Sequence, residues 1–135
     1  MDLIWKPNVN ILYQDLSYKI TGILFEVFKE IGAGHREKHI QRAVAAAFKL
    51  AGLRFCEQVM VVMKFRGKII GKYFLDFVVE NKIVVEIKVG EHFLKKDYEQ
   101  VKYYLKESGL KLGLLVRFGR HGVKVERVLN PTNLS

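Results

Sequence analysis

Residues 73–89 read YFLDFVVENKIVVEIKV, and this stretch decides the fold. Two apolar runs, Tyr73 to Val79 and Ile83 to Val89, flank the polar trio Glu80-Asn81-Lys82. The pattern predicts a β-hairpin turning at Asn81. A turn centred there sets Asp76 opposite Glu86. Alternation places Lys88 on the same face as Glu86, and turns Leu75, Phe77, Val85 and Ile87 to the other face. Phe74, Val78 and Val84 make the charged face otherwise apolar. Two opposed carboxylates repel, and burying them among apolar neighbours costs free energy unless something compensates. Lys88 compensates in part. A divalent cation, Mg²⁺ or Mn²⁺, would do the rest, because hard cations take carboxylate and carbonyl oxygens. The backbone carbonyl of Ile87, between the two charged residues, is a candidate third ligand. The bland alternative is a surface hairpin with a cross-strand ion pair.

Working outward, the period changes. Leu16, Ile20, Leu24, Val27, Phe28 and Ile31 fall on one helical stripe, with Ser17 as the expected cap and Gly32 and Gly34 as stops. A second helix is expected over 36–51, with Ile40, Val44, Ala47 and Phe48 inward. Residues 54–65 and 69–79 alternate as strands around Arg66-Gly67-Lys68. Ile83 to Val89 is a continuous apolar strand of the kind found mid-sheet. A helix over 95–107 and strands over 112–118 and 123–129 follow. The order ααβββαββ predicts an α/β fold, a mixed central sheet with flanking helices. Residues 16–130 form one domain, with an irregular leader at 1–15 and a tail at 131–135.

The 135 residues carry 23 Lys and Arg against 14 Asp and Glu, a net charge of +9. That balance favours a polyanionic partner, nucleic acid before membrane. Cys56 is the single cysteine, so no disulfide or cysteine zinc cluster forms within one chain, and its apolar strand suggests inert packing. The opening residues lack the basic-then-apolar order of a signal peptide, and the expected location is cytoplasmic.

Leu75-Asp76, a short spacer, then Glu86-Ile87-Lys88 resembles the PD-(D/E)xK nuclease superfamily, with Leu75 where the proline usually stands. Gly34-His35-Arg36-Glu37 is similar to the start of the GxxExxY family within it, although Ile40 replaces the family tyrosine. The segments Gln100 to Leu105, Ser108 to Leu115 and Phe118-Gly119 are also similar. The resemblance implies a restriction-endonuclease-like core and metal-assisted phosphodiester hydrolysis. Carried over by position, Asp76 and Glu86 would hold the metal, Glu37 would complete the acidic group, and Lys88 would orient or help deprotonate the attacking water. Gln100 would line the site. Lys95, Lys96, Lys102, Tyr104 and Arg117 are the candidate nucleic-acid contacts; lysines of this kind meet phosphates without reading sequence.

His35 and His39 flank Glu37, but a zinc-protease helix needs its glutamate directly after the first histidine. The expected function is therefore a Mg²⁺-dependent nuclease acting on DNA, with RNA and branched DNA as further substrates. The resemblance to junction resolvases allows a homodimer. The competing readings are a catalytically silent nucleic-acid-binding module and a subunit of a larger repair or defence complex.

Overall fold

A computed structural model describes residues 12–133. The chain runs α1 (Gln14–Ile31), α2 (Glu37–Leu50), β1 (Phe55–Phe65), β2 (Lys68–Val79), β3 (Ile83–Val89), α3 (Lys95–Ser108), β4 (Leu112–Phe118) and β5 (Val123–Leu129), then a 3₁₀ turn at Pro131–Asn133. The expected order ααβββαββ is the observed one. The five strands form one sheet in sequence order, with β3 and β4 parallel and every other neighbour antiparallel. The sheet is mixed because α3 carries the chain across one face before β4 begins, the connection that a parallel pair requires.

The sheet separates two apolar layers. On one face, α1 and α2 bury Ile20, Leu24, Ile40, Val44 and Phe48 against Phe77, Val79, Val85 and Ile87. Phe48 meets Phe77 edge-on, with ring centroids 5.2 Å apart. On the other face, Val101 and Leu105 of α3 cover Val84, Leu115 and Val128. β3 is sealed on both faces over Ile83 to Val85, which is why it opens on an unbroken apolar run. The β2–β3 turn holds Glu80 and Asn81 at φ 54 and 55. Three residues separate the paired Val79 and Ile83, and the left-handed Glu80 and Asn81 bring the Lys82 N–H onto the Val79 carbonyl at 2.9 Å.

Five expectations need correction. α1 starts at Gln14, before Ser17, and its first residue follows Tyr13 in a left-handed conformation. Ser17 is buried on the inner stripe, where its hydroxyl accepts a hydrogen bond from Arg127 at 3.2 Å. The leader expected over 1–15 therefore ends before Gln14, and residues 1–11 lie outside those described. Cys56 is exposed and not packed in the core, because the edge strand β1 leaves that position uncovered. Leu75 does not share a face with Phe77: it packs under α3 with Val78 and Val84, while Phe77 packs under α2. Phe74, expected beside Val78, is half exposed on the hairpin's opposite side from Leu75.

Close packing under α3 gives a test. A Cβ at Gly113 of β4 would come within 2.6 Å of Val101 Cγ1 and 3.7 Å of Val84 Cβ. Val101 is β-branched and fully buried, so it yields poorly. Gly113→Ala should lower unfolding free energy by about 1–3 kcal/mol. Gly71→Ala, whose new methyl meets only Met63 Sδ at 3.9 Å, should stay within about 0.5 kcal/mol of wild type in the same urea titration.

Candidate active site

Asp76 stands where the sheet comes apart. The β2–β3 ladder runs from Val79↔Ile83 to Phe77↔Val85 and stops one position short of Asp76 and Glu86. On the other side, β1 pairs through Glu57↔Phe77 and Val59↔Leu75, and skips Gln58 opposite Asp76. Gln58 has φ 50, a left-handed conformation rare in a strand. Asp76 is thus outside both ladders. The local twist breaks the alternation of β2, which is why Leu75 and Phe77 part to opposite faces. Irregularities of this kind re-aim a side chain at the cost of pairing.

Side chains replace the lost ladder. The Asp76 N–H donates to Glu86 Oε1 at 2.9 Å, and the Ile87 N–H donates to Asp76 Oδ2 at 2.7 Å. A strand residue's N–H and C=O point to the same edge. The Ile87 carbonyl therefore faces the opening between β2 and β3. β4 holds β3 along its whole length from the other side, through Lys88↔Arg117 and Val89↔Phe118, so that opening is rigid on one flank.

Both carboxylates are buried, at 4 % exposure each. Burial pushes Asp76 up to about 6; the Ile87 N–H holds it back and Glu37 adds to the rise. Burial, followed by the charge of Asp76, pushes Glu86 up to about 8. Lys88 Nζ lies 3.4 Å from Glu86 Oε2 and 3.8 Å from Asp97 Oδ1. Burial opposes the Lys88 ammonium, but Glu86, Glu37 and Asp97 outweigh it and its pKa rises. Lys88 therefore stays a cation and hydrogen-bond donor. Asp97 also accepts from the Leu94 N–H at 2.9 Å, so it caps α3 while anchoring Lys88.

Gln41 was not anticipated. Its amide donates to Asp76 Oδ1 at 2.7 Å and to Glu37 Oε2 at 3.3 Å. Glu37 thus reaches Asp76 through Gln41, one helical turn further along α2. The only signal in the sequence is that i, i+4 spacing after Glu37. Among the described residues, no three His, Cys, Asp or Glu side chains converge on one point. The candidate donors are therefore Asp76, Glu86 and the Ile87 carbonyl, with Glu37 behind Gln41. They fit a hard divalent cation: all are oxygens, both acids are buried, and among the described residues Lys88 is the cation that offsets their charge.

The remaining expected residues divide. Gln100 lines a cavity between α3 and the β1–β2 hairpin, and its backbone carbonyl accepts from the Tyr73 hydroxyl at 2.6 Å. Lys96 and Lys102 border the same cavity, and Lys95 is exposed at the start of α3. Tyr104 packs against the second apolar layer. Arg117 donates to the Gly90 carbonyl at 3.0 Å and lies 5.6 Å over the Phe93 ring, bracing the loop after β3. His35 bonds the Ile31 carbonyl at 2.7 Å, an ordinary helix-end contact. No described helix is long and apolar enough to cross a membrane.

A split sheet with Asp76 on one strand and Glu86 and Lys88 on the next defines a nuclease-type core. Comparison with protein families agrees: the PD-(D/E)XK nuclease superfamily matches residues 14–128, and the chain belongs to that superfamily. A solved structure described as "Crystal structure of SSO0001" is similar in fold, with a TM-score of 0.53 and 18 % identity. The similarity covers 88 % of this chain and 60 % of that one. No curated protein matches.

Proposed function

We propose that this chain hydrolyses phosphodiester bonds in nucleic acid, DNA foremost, with a bound Mg²⁺ or Mn²⁺. The observation that carries the reading is the buried pair Asp76 and Glu86 at the split of the sheet, with Lys88 as the adjacent cation among the described residues. Superfamily membership supports the reaction class. The net charge of +9 supports the substrate class. Asp76, Glu86 and the Ile87 carbonyl would hold the metal. When bound, a divalent ion supplies Lewis acidity and lowers the pKa of its water.

The chain's own residues do the positioning. Gln41 and the Ile87 N–H fix both oxygens of Asp76, and the Asp76 N–H fixes Glu86. Lys88, tethered by Glu86 and Asp97, presents a positive charge where the phosphate gains negative charge. Its raised pKa suits that role better than proton abstraction. The finer GxxExxY assignment rests on Gly34 to Glu37 and on Glu37 serving the site through Gln41. A cytoplasmic location accords with acting on nucleic acid.

The test is calorimetry with Mn²⁺ and Mg²⁺, beside cleavage of plasmid and branched DNA. Wild type should bind Mn²⁺ and cleave; Asp76→Ala should lose both. Wild type that binds DNA in a salt-sensitive way, without metal binding or cleavage, would instead establish a silent binding module. The same sample's mass in solution reads the expected homodimer.

A further inference from the structure

Beside the acidic pair lies a cavity of about 430 Å³ that the proposed chemistry leaves unused. Met63 and Tyr73 of the β1–β2 hairpin form one wall, and Gln100 and Tyr103 of α3 form the other. Lys96, Lys102 and Lys106 border it, against Glu99 as the lining acid among the described residues. The volume falls in the range of about 300–1,000 Å³ that small organic ligands occupy.

Tyr73 lines this cavity from the strand that carries Asp76, and Lys96 borders it beside Asp97, the acid that holds Lys88. Tyr73 lies three residues before Asp76 on β2, and its hydroxyl is fixed to the Gln100 carbonyl. Burial raises the Tyr73 pKa, and the charges of Tyr103 and Glu86 add to the rise. The Tyr103 hydroxyl contacts the Val62 carbonyl and the Lys64 N–H, both at 3.4 Å, which holds its ring against the hairpin. Among the described residues, the Gln100 carboxamide has no hydrogen-bond partner, although it lines the cavity.

The lining chemistry selects one kind of ligand. An inorganic anion has no use for two tyrosine rings. A neutral apolar molecule has no use for three lysines. A base held in a duplex keeps its faces stacked on neighbours and cannot enter. An unpaired nucleotide presents a π-face, a hydrogen-bonding edge and a phosphate together. Lys96 and Lys106 are separated by about 15 Å of helix, long enough to follow several successive phosphates of one strand.

We infer that this cavity takes an unpaired nucleotide of the substrate strand, its base against Tyr103, its edge on the Gln100 carboxamide and its phosphates along Lys96, Lys102 and Lys106. This rests on the nucleic-acid reading above and narrows it to substrates with a single-stranded segment beside the scissile bond.

The test is fluorescence anisotropy in EDTA, so that nothing is cleaved. The probes are labelled oligo-dT, oligo-rU and a blunt duplex of equal length. Wild type should bind a single strand more tightly than the duplex, and the tighter of the two single strands names the sugar. Tyr103→Ala should weaken single-strand binding about tenfold and duplex binding less than about twofold, while Tyr103→Phe keeps the preference. Should Tyr103→Ala fail to fold by circular dichroism, Gln100→Trp, which fills the cavity, should abolish the preference instead. Equal affinity for single strand and duplex in wild type overturns the inference, as does a preference untouched by either variant. Absent metal-dependent cleavage with the Tyr103-dependent preference intact overturns the nuclease reading and leaves the pocket standing. Cleavage without the preference overturns the pocket alone.

Discussion

Lys88→Met should reduce cleavage by about 10²–10³-fold while Mn²⁺ binding persists. The expectation follows from what Lys88 touches. Its ammonium sits 3.4 Å from Glu86 and 3.8 Å from Asp97, and it is about a quarter exposed. Among the described residues it is the cation in contact with the acidic pair that would hold the metal. Removing it takes away an interaction made mainly in the transition state, so kcat should fall with little change in KM. Metal affinity should hold or rise, because a competing positive charge has left the two acids. Asp76→Ala should behave differently, losing metal and cleavage together. Methionine keeps most of the apolar stem, so a circular dichroism melt can separate chemistry from folding. Metal affinity falling together with rate in Lys88→Met would make Lys88 a structural support of the acids instead.

Without metal, the protein should be less stable at pH 8.5 than at pH 5.5, and Glu86→Gln should remove most of that difference. A carboxyl whose pKa rises on folding holds its proton more tightly in the native chain than in the unfolded one. Stability from that proton is full below the unfolded value and is lost as pH climbs through the folded value. With ordinary values of 3.8 and 4.5, Asp76 at about 6 and Glu86 at about 8 place the loss between roughly pH 4 and pH 9. The two acids titrate as a pair, so the fall is expected as one broad slope. Its size should be on the order of 1–3 kcal/mol, a shift of several degrees in Tm for a chain this long. Glu86→Gln keeps an oxygen for the Asp76 N–H and discards the repulsion. The variant should therefore be the more stable protein in EDTA at pH 8.5 and the dead enzyme in Mn²⁺. Adding Mn²⁺ to wild type should flatten the slope. A wild-type slope equal to that of Glu86→Gln would mean that the acids lie in water, not in the buried site described.

The hairpin was readable because its register depends on one turn. Asn81 tolerates the left-handed conformation, and centring the turn there aligns Asp76 with Glu86 and leaves Lys88 beside it. The helices were readable for a similar reason: Ile20, Leu24 and Val27, or Ile40, Val44 and Phe48, recur at one face's spacing. The face switch at Asp76 was not readable. Alternation assumes a regular strand, and nothing in Gln58 marks it for φ 50. Gln41 escaped notice because an amide on a helix reads as solvent-facing until the acid it bridges to, 35 residues away, is placed in space. Cys56 misled because apolar neighbours do not say whether anything covers its face of the strand: Val61 of the same strand is buried and Cys56 is not. The cavity beside α3 depends on two elements far apart in sequence, so Gln100 and Tyr103 could be located on a helix but not joined to Met63 and Tyr73.

The parting of β2 from β3 has a consequence for the life of the protein outside catalysis. It creates a strand edge in the interior of a sheet, with the amide and carbonyl of Ile87 turned toward it. Bare edges recruit other strands, and proteins guard them with charge. Asp76 and Glu86 serve as that guard here: one oxygen occupies the Ile87 amide, and the pair's charge repels any apolar segment that approaches. Mutational drift that replaced both acids with valine or leucine would remove the proposed activity and, in the same step, uncover an aggregation nucleus. Retained acids in a relative that has stopped cutting would therefore not be surprising. Solubility alone would keep them in place.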